Sequence, residues 1–320
     1  MKIKSAFVFL KKMFRTSKSA SNRYYKKYQR YAFAETKCKD EYQFEASIIK
    51  MYHAVEKGLS YVDYRPGFGR KNIDNLILSL EQYSRRYDTQ AFFYETALSV
   101  LHEYVRKNKE VGLVDEELEQ KINSLPGKAN QCGGIIDFLP YQKNQNYTFA
   151  DFIKSRHSMR HFSDVPVDFE RIVKALETAQ HTPSACNRQG WRSRIILERD
   201  ALQSVLANQN GNRGFGQEIS ALIVVTGDLR CFNRGRELHQ VFIDGGMYAM
   251  NVLHGLHDEG LASVPLSASL FEEQDKNVRR ILAMEDAEVL IMFIGVGNYP
   301  EQCITTRSER KPCEMRNTKL

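Results

Sequence analysis

Arg156, Ser158 and Arg160 are the first side chains in this sequence whose types and spacing could do chemistry. Guanidinium forks match phosphate oxygens, and a serine hydroxyl between them adds one more donor. Some two dozen residues on comes a small polar loop, Pro183 to Trp191, reading PSACNRQGW. Its Ser184, Asn187 and Gln189 offer hydroxyl and amide groups to a polar or planar partner. Together the two ends predict a phosphorylated organic cofactor. Each end also has a plainer reading. The trio fits a solvated helix end whose basic residues favour the C-terminal dipole, and the loop fits an ordinary turn, since Pro, Ser and Asn are turn formers.

Other chemically capable groups carry less. Gly211, Gly214 and Gly216 are not spaced as a dinucleotide-binding loop and precede a strand, so a mobile loop is expected there. His254 and His257 share a helix face but lack a third ligand, which points to a surface pair and no metal site. Cys186 reads as a buried, inert small residue. His53 and Glu56 form the densest polar cluster of the N-terminal half, equally a helix end or a substrate-side group. Trp191 reads as a packing anchor at a strand start. No acid–base pair stands out as a catalytic constellation.

The elements that must position these groups change character along the chain. Phe44, Ile48, Met51 and Val55 recur at helical spacing over 41–57, with Gly58 placed just past the helix end. Ile73, Leu76, Ile77, Leu80, Tyr83 and Tyr87 mark a second helix. Residues 90–107 carry a third, and 115–124 a shorter one capped by Asp115. No strand pattern precedes residue 135. A loop with Leu125-Pro126-Gly127 and Gly133-Gly134 follows and sets a boundary near 145. Beyond it, Thr148 and Asp168 can cap short helices. Strands at Arg194–Leu197, Leu222–Thr226, Ala262–Leu266 and Val289–Gly295 then alternate with helices from Asp200, over 239–257 and over 272–283. The result is a basic arm (1–40), a helical extension (41–145) and an α+β or α/β domain with a central sheet (146–320).

The net charge of +7 is unevenly distributed over the 320 residues. Residues 1–40 hold 12 Lys/Arg against Glu35 and Asp40, and the remainder carries a net −3. The arm reads as a solvated tail or as a surface helix touching anionic lipid, with Phe7, Leu10, Met13 and Phe14 on one face. Nucleic-acid binding is not expected, because no reading element or stacking platform accompanies the charge. The apolar run Ala6–Leu10 is broken by Lys11, which argues against a signal peptide, and no stretch reaches transmembrane length. Six scattered cysteines without a C-x-x-C pair read as free thiols of a reducing cytoplasm.

The order R-H-S-M-R followed by P-S-A-C-N-R-Q-G-W resembles the nitroreductase family of FMN-dependent oxidoreductases. Gly245-Gly246, Asn251, Gly260-Leu261-Ala262-Ser263, Ile294-Gly295 and the tail Glu309-Arg310-Lys311-Pro312 continue the resemblance, which spans about 149–315 and leaves 1–145 uncovered. It implies a three-layer sandwich with a central mixed sheet, preceded here by an all-α unit. It also implies that NAD(P)H reduces FMN, which then reduces a small organic acceptor in ping-pong fashion. Arg156, Ser158 and Arg160, with His157 among them, would hold the FMN phosphate and ribityl chain, joined by Arg310 or Lys311. Pro183, Ser184, Ala185, Asn187 and Gln189 would lie against the flavin of a homodimer partner. Ser267 and Ala268 stand where the family has a Glu-Gly pair near flavin N5 and O4, and Gly190 replaces a Pro, which should loosen that turn. The flavin would carry the chemistry, so neither a protein nucleophile nor a metal is implied. The departures leave two other readings open. One is a specialised flavoenzyme or flavin-binding protein of a biosynthetic pathway, such as surface-polysaccharide synthesis. The other is a non-enzymatic scaffold with an interaction module.

Overall fold

The computed structural model describes residues 38, 40–143, 148–233, 237–315 and 317–318, so the basic arm lies almost wholly outside the described residues. The chain divides into two compact units. Among the described residues Leu139–Cys303 form one, and the stretch from Cys38 to Phe138 forms the other together with the stretch from Ile304.

The helical unit contains α1 (Glu41–Leu59), α2 (Arg70–Ser84), α3 (Phe92–Glu110) and α4 (Glu116–Asn123). Local chemistry starts two of them. Asp40 accepts from the Gln43 amide and Asp115 from that of Leu118, each satisfying an orphan helix donor. Phe44, Ile48, Ile73, Leu76, Leu80, Tyr83, Phe93 and Tyr94 meet in one core. Two expectations shift. Gly58 lies inside α1, not past its end. The helix continues to Leu59 because the missing side chain makes room for Phe68, whose Cε2 lies 2.0 Å from where a Cβ would stand. Tyr87 falls beyond the end of α2 yet still meets Phe44 edge-on, with ring centroids 6.1 Å apart. The short strands β1 (Ile135–Asp137) and β6 (Ile304–Thr306) pair antiparallel within this unit.

The other unit is α+β. It contains α5 (Phe149–Ser155), α6 (Phe169–Ala179), β2 (Trp191–Ile196), α7 (Arg199–Leu206), β3 (Ala221–Asp228), α8 (Gln240–Asp258), β4 (Ala262–Ser267), α9 (Glu272–Ile281) and β5 (Glu288–Gly297). The four strands run in the order β2-β3-β5-β4 and pair antiparallel. Among the described residues the parallel component is the bridge between Ser158 and Ser263 at the sheet's edge. Every residue of β3 is buried, as its apolar run ALIVV requires of a strand covered on both faces. Ala221, Ile223 and Val225 pack with Ile172 and Ala175 of α6 and Tyr248 and Val252 of α8. The alternate residues Leu222 and Val224 point to the opposite face and are buried there as well. Pro265, which has no amide hydrogen to give a ladder, sits in the edge strand β4. Thr148 and Asp168 cap α5 and α6 as their positions predict.

Candidate flavin site

The segment carrying the basic trio leaves α5 at Arg156, whose backbone is already extended. The next residues lie against the sheet edge. The Met159 amide donates to the Ser263 carbonyl at 3.0 Å, and the Ser163 amide to that of Asn298 at 3.0 Å. Met159 and Phe162 turn inward and are buried. Phe162 fits because Gly297 has no Cβ, which would stand 2.5 Å from its ring. Arg156, His157, Ser158 and Arg160 are half-buried, so only the first belongs to a helix end. The other three are held on an extended strap by the two apolar anchors, in contrast to the plain helix-end reading.

The polar loop is tied to the first turns of α8, and Thr182 just before it to the middle of that helix. The Ala185 amide donates to Asp244 Oδ2 at 3.1 Å, and Asn251 Nδ2 donates to Thr182 Oγ1 at 2.7 Å. Ser184 Oγ accepts from the Gln189 amide at 2.9 Å, and Gln189 Nε2 donates to Asn187 Oδ1 at 3.2 Å. Arg188 forks onto Glu237 at 2.8 and 2.9 Å. Cys186, Asn187 and Gln189 all have positive φ, at 52°, 56° and 49°, a conformation uncommon outside glycine that the surrounding bonds must hold.

Several expectations change here. Cys186 is exposed, because its backbone turns through the left-handed region at the tip of the loop. Gly190 does not loosen the turn. It lies under Phe232, whose ring carbons would be 2.8 Å from a Cβ, so the missing side chain is what permits the contact. The glycine-rich loop before β3 is pinned, with Asn212 Nδ2 donating to the Leu206 and Gln209 carbonyls at 2.8 and 2.7 Å. Trp191 is the expected anchor. It is buried, stacks on Tyr248 at 4.9 Å with 9° between the planes, and donates to Gln180 Oε1 at 3.3 Å.

Ser267 and Ala268 stand at the far end of β4. The Ser267 hydroxyl accepts from the Ser269 amide at 3.0 Å and its carbonyl from Gln209 Nε2 at 2.9 Å. Arg310 and Lys311 belong to the helical unit. There Lys311 Nζ is 2.5 Å from Glu45 Oε1, and Arg310 donates to the Ser308 carbonyl. In the same unit Glu56, fully buried, accepts the Gly134 amide at 3.1 Å and meets His53 at 3.4 Å. A buried carboxylate holding a backbone amide is a structural tie for the Gly133-Gly134 turn.

The histidines are where sequence reasoning went furthest astray. His257 is no surface residue: it is 1% exposed. Its ring lies against Tyr141 and Phe152, with centroids 4.8 and 4.9 Å away, and its Nε2 is 2.8 Å from Ser155 Oγ. Burial, and then the charge of Arg156, push it down to about 4, and the same two causes in the same order lower His254. Tyr141 and Phe152 lie far from His257 in sequence and give no local signal. Among the described residues no group of three or more His, Cys, Asp or Glu could hold a metal ion.

Residues 153–298 match the family model described as the nitroreductase family, and this part of the chain is a nitroreductase-family domain. A protein of Archaeoglobus fulgidus, provisionally named NADH dehydrogenase/NAD(P)H nitroreductase, is 29% identical over 47% of this chain and 83% of its own. A chloronitrobenzene nitroreductase of Comamonas testosteroni is 34% identical over 22% of this chain and 33% of its own. Among solved structures, the FMN-dependent nitroreductase of Clostridium difficile R20291 aligns at 22% identity and TM-score 0.42, covering 47% of this chain and 87% of that one.

Proposed function

We propose that the 153–298 domain binds FMN and acts as an NAD(P)H-dependent oxidoreductase on a small organic acceptor, with two copies of the chain sharing each flavin site. The observation that carries this reading is the placement of the two motif halves along α8. The loop is tied to Asp244 near the start of the helix, and the trio's strap follows Ser155, which is bonded to His257 near its end. Thirteen residues separate Asp244 from His257, about 20 Å at 1.5 Å per residue. Over its first three turns α8 exposes Phe242, Ile243, Met247 and Met250, the last two between Asp244 and His257. A two-fold axis crossing that apolar face would run the two helices antiparallel, and so bring the loop of one copy beside the trio of the other.

The donors present suit a flavin phosphate. One strap carries two guanidinium groups and a hydroxyl, all on half-buried residues, with Met159 and Phe162 fixing its register. In this reading Arg156 and Ser158 take the phosphate, and Arg160 offers positive charge where a reduced ring gathers negative charge. The loop amides of Asn187 and Gln189 orient the ring, and the apolar face of α8 excludes water around it. Bound there, FMN supplies the hydride chemistry, alternating between NAD(P)H and the acceptor. Lys311, paired with Glu45, is left out of this set.

A second reading keeps the flavin but narrows the acceptor. Ser267 stands in place of an acidic residue and spends its hydroxyl on its own turn, which favours a specialised flavoenzyme of a biosynthetic pathway over a general nitroreductase.

The visible spectrum of the purified protein, FMN titration and sedimentation test the proposal. A yellow dimer that is bleached by NADH or NADPH is expected, and Met247→Glu should yield monomers with little flavin. A protein that takes up no added FMN, or a monomer that binds it as tightly as the parent, overturns it. Rapid turnover of generic nitroaromatics and quinones removes the second reading.

A further inference from the structure

We propose that anion binding beside Arg156 is proton-linked. The imidazoles of His254 and His257 are neutral in the free protein and take up a proton when a phosphate dianion docks on the Arg156–Ser158 strap. The inference rests on the flavin-phosphate reading above and assigns a role to two residues outside the motifs.

The hydrogen bonds fix the starting state. Ser155 Oγ lies 3.0 Å from the Phe152 carbonyl and 2.8 Å from His257 Nε2. A hydroxyl has one proton to give. Both contacts are satisfied when it donates to Phe152 and accepts from Nε2–H, which leaves Nδ1 of His257 as a bare lone pair. That Nδ1 is buried without a hydrogen-bond partner, and so is Nε2 of His254. A bare lone pair in such a place costs less than an unpaired N–H, and far less than an unpaired charge.

The surrounding charges explain why neither ring ionises unaided. Arg156, His254 and His157 face His257 with positive charge or the capacity for it, and Asp258 is the opposing acid. Asp258 is shared with Lys143, whose Nζ lies 2.7 Å from Oδ2. Arg156 likewise faces His254, whose ring packs 6.0 Å from that of Phe152. Burial is the larger cause holding both imidazoles neutral, and cationic repulsion is the second. A phosphate brings about −1.5 to −2 of charge to the same pocket and reverses its sign. The repulsion is then replaced by attraction that works against the cost of burial, and by linkage the anion binds more tightly wherever a proton is taken up.

The test compares the parent with His257→Gln, which keeps an amide donor for Ser155 but cannot titrate. FMN dissociation constants are measured by flavin fluorescence at pH 7.5, 6.5 and 5.5, with riboflavin as the control lacking the phosphate. The affinity ratio of parent to variant cancels the ionisation of FMN itself. It should grow about tenfold in the parent's favour from pH 7.5 to 5.5, as a site moved into that range requires, while the riboflavin ratio stays flat. An FMN ratio that is flat across the range overturns the inference but leaves the flavin reading intact. Failure to bind FMN at any pH overturns the flavin reading itself. If the variant does not fold, histidine ring proton resonances of the parent decide. Two signals that begin to titrate above pH 6 on adding FMN support the linkage, and unchanged titrations defeat it.

Discussion

Arg194 grips Glu288 with both ends of its guanidinium, Nη1 to Oε2 at 2.6 Å and Nη2 to Oε1 at 2.9 Å, reaching from β2 across the intervening strand β3 to β5. Glu288 is fully buried and also accepts from Thr226 Oγ1 and Arg192 Nη1, each at 3.0 Å. The two arginines of W-R-S-R thus close one end of the sheet, and their charge is spent on structure.

Arg194→Ala should therefore destabilise the α+β unit by about 1.5–3 kcal/mol, the scale of a hydrogen bond to a charged group, because Arg192 and Thr226 still hold Glu288, measured by urea unfolding at pH 7. The Arg194 hydrogen bond is the main cause holding the Glu288 carboxyl below its ordinary value. A depressed carboxyl stabilises the fold above its unfolded value, roughly pH 4.3, and that stability is lost as pH falls through the folded value. The parent should weaken in acid by more than the variant does. Equal acid dependence of the two would contradict this.

Arg156→Ala and Arg160→Ala should each weaken FMN binding by about 1.5–3 kcal/mol, the scale of a charge-assisted hydrogen bond. Fluorescence titration reads this directly. Parent-like affinity in both variants would mean that the phosphate lies elsewhere.

Trp191 is the chain's single tryptophan and follows the polar loop directly. Its emission should fall as FMN binds, by energy transfer to the flavin, and level off at the stoichiometry found from flavin fluorescence. Emission that stays constant through saturation would place the ring away from the loop.

Gly58→Ala would drive a methyl group into the Phe68 ring, which is itself held edge-on by Tyr64 and Tyr104 at 5.9 and 5.3 Å. Overpacking of this kind costs about 1–3 kcal/mol and should appear as a lower denaturation midpoint. An unchanged midpoint would mean that the three rings can shift together.

What the sequence made legible was local. The caps Asp40, Asp115, Thr148 and Asp168 work on amides two or three residues away, and the buried run of β3 announces a central strand by itself. The trio and loop were also legible, as chemistry and as a resemblance. What stayed hidden depends on partners distant in the chain. Ser155 meets His257 across 102 positions, Phe232 closes over Gly190, and Ile304–Thr306 return to pair with Ile135–Asp137. Strands of three residues are too short to show an alternating pattern, and nothing in H-G-L-H says that two aromatic rings will enclose the second histidine.

The outer edge of β4 has a consequence for how copies of this chain can meet. An uncovered sheet edge ordinarily invites another chain to extend the ladder. Here the outward-facing positions are Ser263, Pro265 and Ser267. The Ser263 carbonyl is taken by Met159 and that of Ser267 by Gln209, while Pro265 has no hydrogen to offer. A stranger's strand finds almost nothing to zip onto. Extension of the ladder by another strand at this edge is therefore disfavoured by the backbone itself.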